Sequence, residues 1–302
     1  MGKIMRFINR FNKFISENQT LNTKRVLYRA IYEQNAYENI SIGVEKNNDK
    51  SVIISLTTYG ERINSVHIAI ESLFEQTKKA DRIILWLDEN EFIFDDLPLV
   101  LKKMINRGLE IKFCPNYKSY KKLIPVLMLQ EHALIITVDD DIIYPRTMIE
   151  NMIKTHNKYP DCVVFNYGLE ILLNKKGEPL AYEKWRAKGD FCFPSLKYIG
   201  IGCGGILYPE NVFHSDIFSI ENIFDLAPTT DDLWFKFMTY LNDVKYVQTN
   251  FGPKIESEVD FLENFLTIDK IQKQRLGDIN VSNGQNDVQL KKIIEKYNII
   301  FN

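Results

Sequence analysis

Between Ser51 and Val138 the chain alternates short apolar, β-branched runs with amphipathic stretches, and that alternation dictates the fold class. Val52 to Leu56 reads as a strand, and Ile63 to Phe74 as a helix with Val66, Ile70 and Leu73 on one face. Arg82 to Leu87 is a second strand, and Leu97 to Ile105 a helix stopped by Gly108. Leu109 to Phe113 is a third strand, Tyr120 to Leu129 a helix, and Leu134 to Val138 a fourth strand. Strand–helix–strand units of this kind are right-handed and build a mostly parallel sheet flanked by helices, an α/β fold. Ligands of such sheets bind beyond the carboxyl ends of the strands.

Asp139, Asp140 and Asp141 follow the fourth strand at that place. Three adjacent carboxylates repel and raise one another's pKa unless a cation sits among them. The triplet therefore reads as a site for a divalent metal and, through it, a phosphate group. A solvated acidic turn is the competing explanation.

After the triplet the alternation weakens. Pro145 to His156 reads as a helix and Cys162 to Phe165 as a strand, with a turn at Asn174 to Pro179. Ile199 to Tyr208 is glycine-rich, and Asp231 to Leu241 is a helix with Thr229 or Thr230 near its N-cap. Arg275 to Asn286 is a polar loop and Val288 to Tyr297 a last helix.

The formal net charge of -2 gives no whole-protein attraction to nucleic acid. Cys114, Cys162, Cys192 and Cys203 are scattered, with no CxxC pair, as expected of idle thiols in a reducing cytoplasm. No apolar stretch approaches the ~20 residues a membrane span requires. Across the first thirty-one residues, Lys3, Arg6, Arg10, Lys13, Lys24, Arg25 and Arg29 face one acid, Glu17. Phe7, Ile8, Phe11, Phe14 and Ile15 recur among them at helical spacing. A basic amphipathic helix like this either lies on an anionic membrane surface or packs on the protein's own core. The expected organisation is a helical segment and polar linker over residues 1–50 and a main domain over 51–302. The protein is expected in the cytoplasm, with residues 1–31 able to hold it at the inner face of the cell membrane.

A P-loop would explain an apolar strand ending in acids, but the GxxxxGK[ST] motif is absent. A haloacid-dehalogenase-type phosphatase uses Asp-x-Asp after an apolar strand, and Asp139-Asp140-Asp141 comes close. That family places the motif on its first strand, whereas here three βα units precede it, and Gly277-Asp278 is followed by Ile279-Asn280-Val281-Ser282, without the second acid of that family's Gly-Asp-x-x-x-Asp metal site. Ser55-Leu56-Thr57-Thr58-Tyr59-Gly60-Glu61-Arg62, the Asp88 that ends the second strand, and the acidic triplet together resemble GT-A glycosyltransferases. The likeness is greatest to bacterial family-2-like enzymes of surface polysaccharide synthesis and runs from about Ser51 to Leu241. It implies a Rossmann-like sheet with a nucleotide-binding half, 51–145, and an acceptor-side half, 146–302.

The resemblance implies that Thr57, Tyr59, Arg62 and Asp88 hold the base and ribose. It places Asp139 on the ribose side and Asp141 on a Mn²⁺ or Mg²⁺ ion, leaves Asp140 between them at the nucleotide, and brings Lys118, Lys121 and Lys122 near the nucleotide. Those lysines equally fit a solvated helix start. In Thr229-Thr230-Asp231-Asp232-Leu233-Trp234-Phe235, Asp231 and Asp232 resemble the acid pair that opens the acceptor-side helix in inverting enzymes. Asp232 is then the general base and Asp231 positions the donor sugar, unless the two are exchanged; acids also favour helix N-termini for the dipole alone. Gly204 and Gly205, within Gly202-Cys203-Gly204-Gly205, would border the donor sugar. A further metal ligand, often a C-terminal histidine in this family, is missing, since His67, His132, His156 and His214 all lie earlier. In the loop Asn283-Gly284-Gln285-Asn286-Asp287, Asp287 and Asn286 are oxygen ligands that could replace it, or Asp287 caps the last helix.

The implied activity is metal-dependent transfer of a sugar, with inversion, from a nucleotide-sugar (a UDP-sugar) to a hydroxyl of a glycan or lipid-linked oligosaccharide. A phosphatase and a non-catalytic nucleotide-binding subunit of a polysaccharide assembly system are the rivals.

Overall fold

The computed structural model describes residues 2–46, 50–187, 193–249, 264–268 and 284–301. A long helix, α1 (Gly2–Glu38), precedes the alternating region. That region runs β1 (Ser51–Thr57), α2 (Val66–Phe74), β2 (Arg82–Asp88), α3 (Leu99–Ile105), β3 (Leu109–Cys114), α4 (Ile124–Met128) and β4 (Ala133–Thr137). Then come β5 (Ile142–Ile143), α5 (Met148–Lys158), β6 (Val163–Phe165), β7 (Gly168–Glu170), β8 (Tyr198–Gly200) and β9 (Ile206–Tyr208). The C-terminal elements are α6 (Ile220–Leu226), α7 (Asp231–Tyr240), β10 (Tyr246–Gln248), β11 (Leu266–Thr267) and α8 (Gln285–Tyr297).

Seven strands form the central sheet in the order β10-β6-β9-β4-β1-β2-β3. Pairings β1–β2, β1–β4, β2–β3 and β6–β10 are parallel, while β9 runs antiparallel to both β4 and β6. The sheet is the expected mostly parallel one, with helices on both faces. Its inner strands β1, β2 and β4 are mostly apolar because both faces are covered, while the edge strand β3 carries the half-buried Glu110 and Lys112. Val52, Ile54 and Leu56 of β1 pack with α2, α3 and α5, whereas Ile53 points to the other face, which α4, α7 and α8 cover.

Two expected helices are split. Gly60–Asn64 is a 3-10 turn before α2, with Gly60 at φ +51°. Lys118–Lys122 is a 3-10 turn before α4, because Pro125 in the first turn of α4 lacks the N–H to continue a helix from Lys121. The last helix starts at Gln285 rather than Val288, directly after Gly284 in a left-handed conformation (φ +65°). Most of the expected loop before it, 275–283, and Cys192 lie outside the described residues.

Tyr32 and Ala36 of α1 are buried, Tyr32 in a cluster with Ile68 and Ala69 of α2. Arg107 clamps the connection from α1, donating to both carboxylate oxygens of Glu71 (2.6 and 2.9 Å) and to the Ser41 carbonyl (2.9 Å). Val26, Leu27 and Ile31 face outward. The side chains of residues 1–18, with the Phe7–Ile15 stripe, are outside the described ones. No helix among the described residues is long and apolar enough to cross a membrane. Cys114 and Cys162 are buried free thiols, and Cys203 is a half-buried one.

Candidate active site at the carboxyl edge of the sheet

Because β1 to β4 are parallel, their carboxyl ends share one edge, and a cavity of about 640 Å³ opens there. Asp139 and Asp140 line it. The turn that carries them is fixed by Tyr144, a buried residue whose hydroxyl accepts from the Asp139 N–H at 2.7 Å. Asp140 is 5% exposed and is held on both oxygens. The Thr58 hydroxyl donates to Oδ2 and the Arg62 guanidinium to Oδ1, each at 2.6 Å. Burial raises Asp140 to about 6 against the opposing pull of Arg62. The other arm of Arg62 reaches Asp141 at 3.3 Å, and its plane lies 4.9 Å from the Tyr59 ring centroid.

Opposite the triplet, Asp231 and Asp232 open α7. The loop before them is pinned from two sides. The Tyr120 hydroxyl donates to the Ala227 carbonyl, and Gln289 of α8 exchanges two hydrogen bonds with Thr229. Asp232 accepts the Gly202 N–H on both oxygens (3.1 and 3.2 Å). Its carboxyl opens to the cavity but is otherwise enclosed by protein. That desolvation, with the neighbouring Asp231 charge, pushes it up to about 7. Lys122 stands between the two acid groups, 2.9 Å from Asp139 Oδ1 and 2.8 Å from Asp231 Oδ2, the latter an ion pair without hydrogen-bond alignment.

Thr57, Tyr59, Arg62, Lys118, Lys122, Asp139, Asp140, Asp231 and Asp232 thus all line one cavity. Thr57 also donates to the Trp86 carbonyl, and Lys118 approaches the Pro228 carbonyl at 3.5 Å. Asp88 is 2% exposed, caps its own turn through the Asn90 N–H (2.9 Å) and is not among the lining residues. Glu91 lines the wall instead and accepts the Gly60 N–H. Gly204 faces Tyr167 and Gly205 faces Met148, so the glycine that leaves room in the site is Gly202. Asp287 accepts the Tyr182 N–H at 2.7 Å, while its neighbour Asn286 lines the cavity. His67 is buried against Tyr37, away from the site.

Sequence reasoning overlooked Thr58, Glu91, Asn116 and Tyr182, weighed Asn286 only as a metal ligand, and gave Lys121 no more weight than its neighbours. Lys121 is 2% exposed, lines the cavity, and has no hydrogen bond or ion pair to any described residue. Its one signal was membership of Lys118–Lys122. Tyr182 comes from a distant 3-10 turn and carried none.

The carboxylates are chemically suited to Mg²⁺ or Mn²⁺. As arranged, however, Asp140 and Asp141 are matched by Arg62, Asp139 by Lys122, and Asp287 by a backbone amide. Among the described residues no three His, Cys, Asp or Glu side chains are grouped to hold a metal ion. These residues do not form a ready metal site.

No family model matches the sequence, and no curated protein matches it. Solved structures do. One is a mannosyltransferase from Pyrobaculum calidifontis in complex with GDP-Man and Mn²⁺, at 12% identity and a TM-score of 0.40, over 66% of this chain and 55% of that one. The match therefore spans little more than half of that protein's length. Another is CMP:2-keto-3-deoxy-manno-octonic acid synthetase complexed with CTP, at 12% identity and a TM-score of 0.37, over 66% of this chain and 88% of that one. Likenesses of this size carry no argument about activity.

Proposed function

We propose that this chain is a glycosyltransferase that moves a sugar from a nucleoside diphosphate donor, a UDP-sugar, to a hydroxyl of a glycan or lipid-linked oligosaccharide. The observation that carries this reading is the polarity of the cavity. Lys121, buried and without a partner among the described residues, shares one cavity with a carboxyl pair on the opposite wall, one member of which has a proton affinity near neutrality. Lys121 lines the cavity, where its positive charge is available to an anionic ligand. Tyr59, Arg62 and Glu91 offer the stacking and polar edges that a base and ribose need.

In this reading the bond from the sugar's anomeric carbon to the diphosphate oxygen breaks as the acceptor oxygen attacks from the opposite face. Asp232 takes the hydroxyl proton, and Lys121 with Arg62 takes charge developing on the diphosphate. Single displacement inverts the anomeric centre. Mn²⁺ or Mg²⁺ at Asp141 would supply further charge neutralisation, in competition with Arg62, which already engages that acid. The basic residues of 1–31 would suit docking on an anionic membrane surface, where lipid-linked acceptors are found.

A thermal-shift screen of nucleotide-sugars, with and without Mn²⁺, tests the proposal. A UDP-sugar should raise the wild-type midpoint, and Lys121→Gln should remove most of that rise. Absence of any nucleotide-sugar response, or phosphate release from a phosphomonoester without donor turnover, overturns it.

A further inference from the structure

We propose that Lys122 is a positioning residue. Its ammonium ties the acid beyond β4, Asp139, to the acid that opens α7, Asp231, and so sets the separation of the two walls of the active site. The catalytic consequence rests on the transferase reading above; the tie itself does not.

Three observations support it. Nζ lies 2.9 Å from Asp139 and 2.8 Å from Asp231, two residues ninety-two positions apart on different elements. The side chain is 7% exposed, and burial disfavours its charge, yet Asp139, Asp231 and Asp232 together hold its pKa well above the ordinary lysine value. The backbone is shaped to admit it. A Cβ on Gly202 would sit 2.5 Å from Lys122 Nζ and 3.1 Å from Asp232 Oδ1, so any side chain at 202 strikes the ammonium. Gly202 also donates its N–H to Asp232. One residue therefore leaves room for the tie and orients the acid beside it.

Consecutive lysines then do different work. Lys121 has no hydrogen bond or ion pair among the described residues and lines the cavity, open to an anionic ligand, whereas Lys122 is occupied inside the protein. Without Lys122, Asp139, Asp231 and Asp232 face one another with no cation between them, and their repulsion drives the walls apart.

Two measurements test the tie. In urea unfolding, the effects of Lys122→Met and Asp231→Asn should fail to multiply, with a mismatch of about tenfold or more in the unfolding constant, and likewise for Lys122→Met with Asp139→Asn. Effects that multiply overturn the proposal. In release of UDP from the UDP-sugar that the thermal-shift screen returns, Lys122→Met and Gly202→Ala should each lower kcat by at least about tenfold, with KM within about threefold and partial recovery in Lys122→Arg. Wild-type kcat in either variant overturns the positioning role, as does a change confined to KM, the behaviour of a lysine that merely binds donor. Should Lys122→Met not fold, Lys122→Gln takes its place in both measurements. If the wild type releases UDP from no donor, the transferase reading fails, and the unfolding cycle still decides the tie.

Discussion

Asp232→Asn should stabilise the protein while removing its activity, and the two effects share one cause. Desolvation and the Asp231 charge raise the Asp232 carboxyl from 3.8 to about 7. Keeping such a group ionised costs the folded state about 4 kcal/mol above pH 7, at about 1.36 kcal/mol per pKa unit. Proton sharing with Asp231 and water in the cavity reduce this, so the expected gain for Asp232→Asn is about 1–3 kcal/mol. The amide oxygen still accepts the Gly202 N–H, so that bond is not forfeited.

The sign with pH follows from linkage. Between pH 3.8 and about 7 the folded wild type holds more protons at this group than the unfolded chain does. Wild-type stability therefore falls as pH rises through that window, and Asp232→Asn lacks this fall. The gap should open between pH 4 and 7 and stay level above. Urea unfolding followed by tryptophan fluorescence at pH 5, 6, 7 and 8 measures it. In turnover, a base that is protonated below about pH 7 gives wild-type kcat a rising limb there. Asp232→Asn should lie roughly 10²-fold lower with no such limb. Destabilisation by Asp232→Asn, or a stability difference that ignores pH, would refute the claim that this carboxyl is held against its preference.

Two further perturbations probe the neighbourhood. Lys236, one turn along α7, is completely buried, its ammonium has no hydrogen-bond partner among the described residues, and it lies 4.1 Å from the Tyr246 ring centroid. Burial lowers it to about 7, so the folded chain binds fewer protons than the unfolded one between pH 7 and 10.5. Lys236→Met should stabilise by about 1–4 kcal/mol at pH 7, with the gain shrinking as pH approaches 10; a lower urea midpoint at pH 7 would contradict this. Arg62→Met should raise Mn²⁺ affinity by about tenfold or more, read by calorimetry, because it removes the cation that holds Asp140 and Asp141. Unchanged affinity would place metal binding on other residues.

The parallel part of the sheet was legible because β1, β2 and β4 are short, mostly apolar runs, the pattern of a strand covered on both faces, and β3 alternates apolar with charged residues as an edge strand does. β9 was not. Its three residues follow Gly204-Gly205 and carry no periodicity, and their antiparallel insertion between β4 and β6 is settled by pairing partners far away in sequence. The split before α4 was foreshadowed by Pro125, and the early start of α8 by Gly284. Residue type located the site, but register within it required the fold. The turn closed by Asp88 on Asn90 brings Glu91, not Asp88, to the cavity. A shift of two positions within Gly202-Cys203-Gly204-Gly205 separates the glycine that faces the acids from those that face Tyr167 and Met148.

The lysines show why such register matters for function. Lys121 and Lys122 are indistinguishable by composition, propensity or burial. What separates them is the carboxylates that come within reach, and those belong to β4 and α7. Asp139, Asp140, Asp141, Asp231 and Asp232 gather at one sheet edge, and among the described residues Arg62 and Lys122 form ion pairs with the first four of them. Burial raises the proton affinities of Asp140 and Asp232, and the neighbouring carboxylates add to it. Asp140 lines the cavity too, but Thr58 and Arg62 engage both of its carboxylate oxygens. Asp232 opens to the cavity. The desolvation that makes an ionised Asp232 costly thereby gives the carboxyl that faces the cavity its readiness to accept a proton.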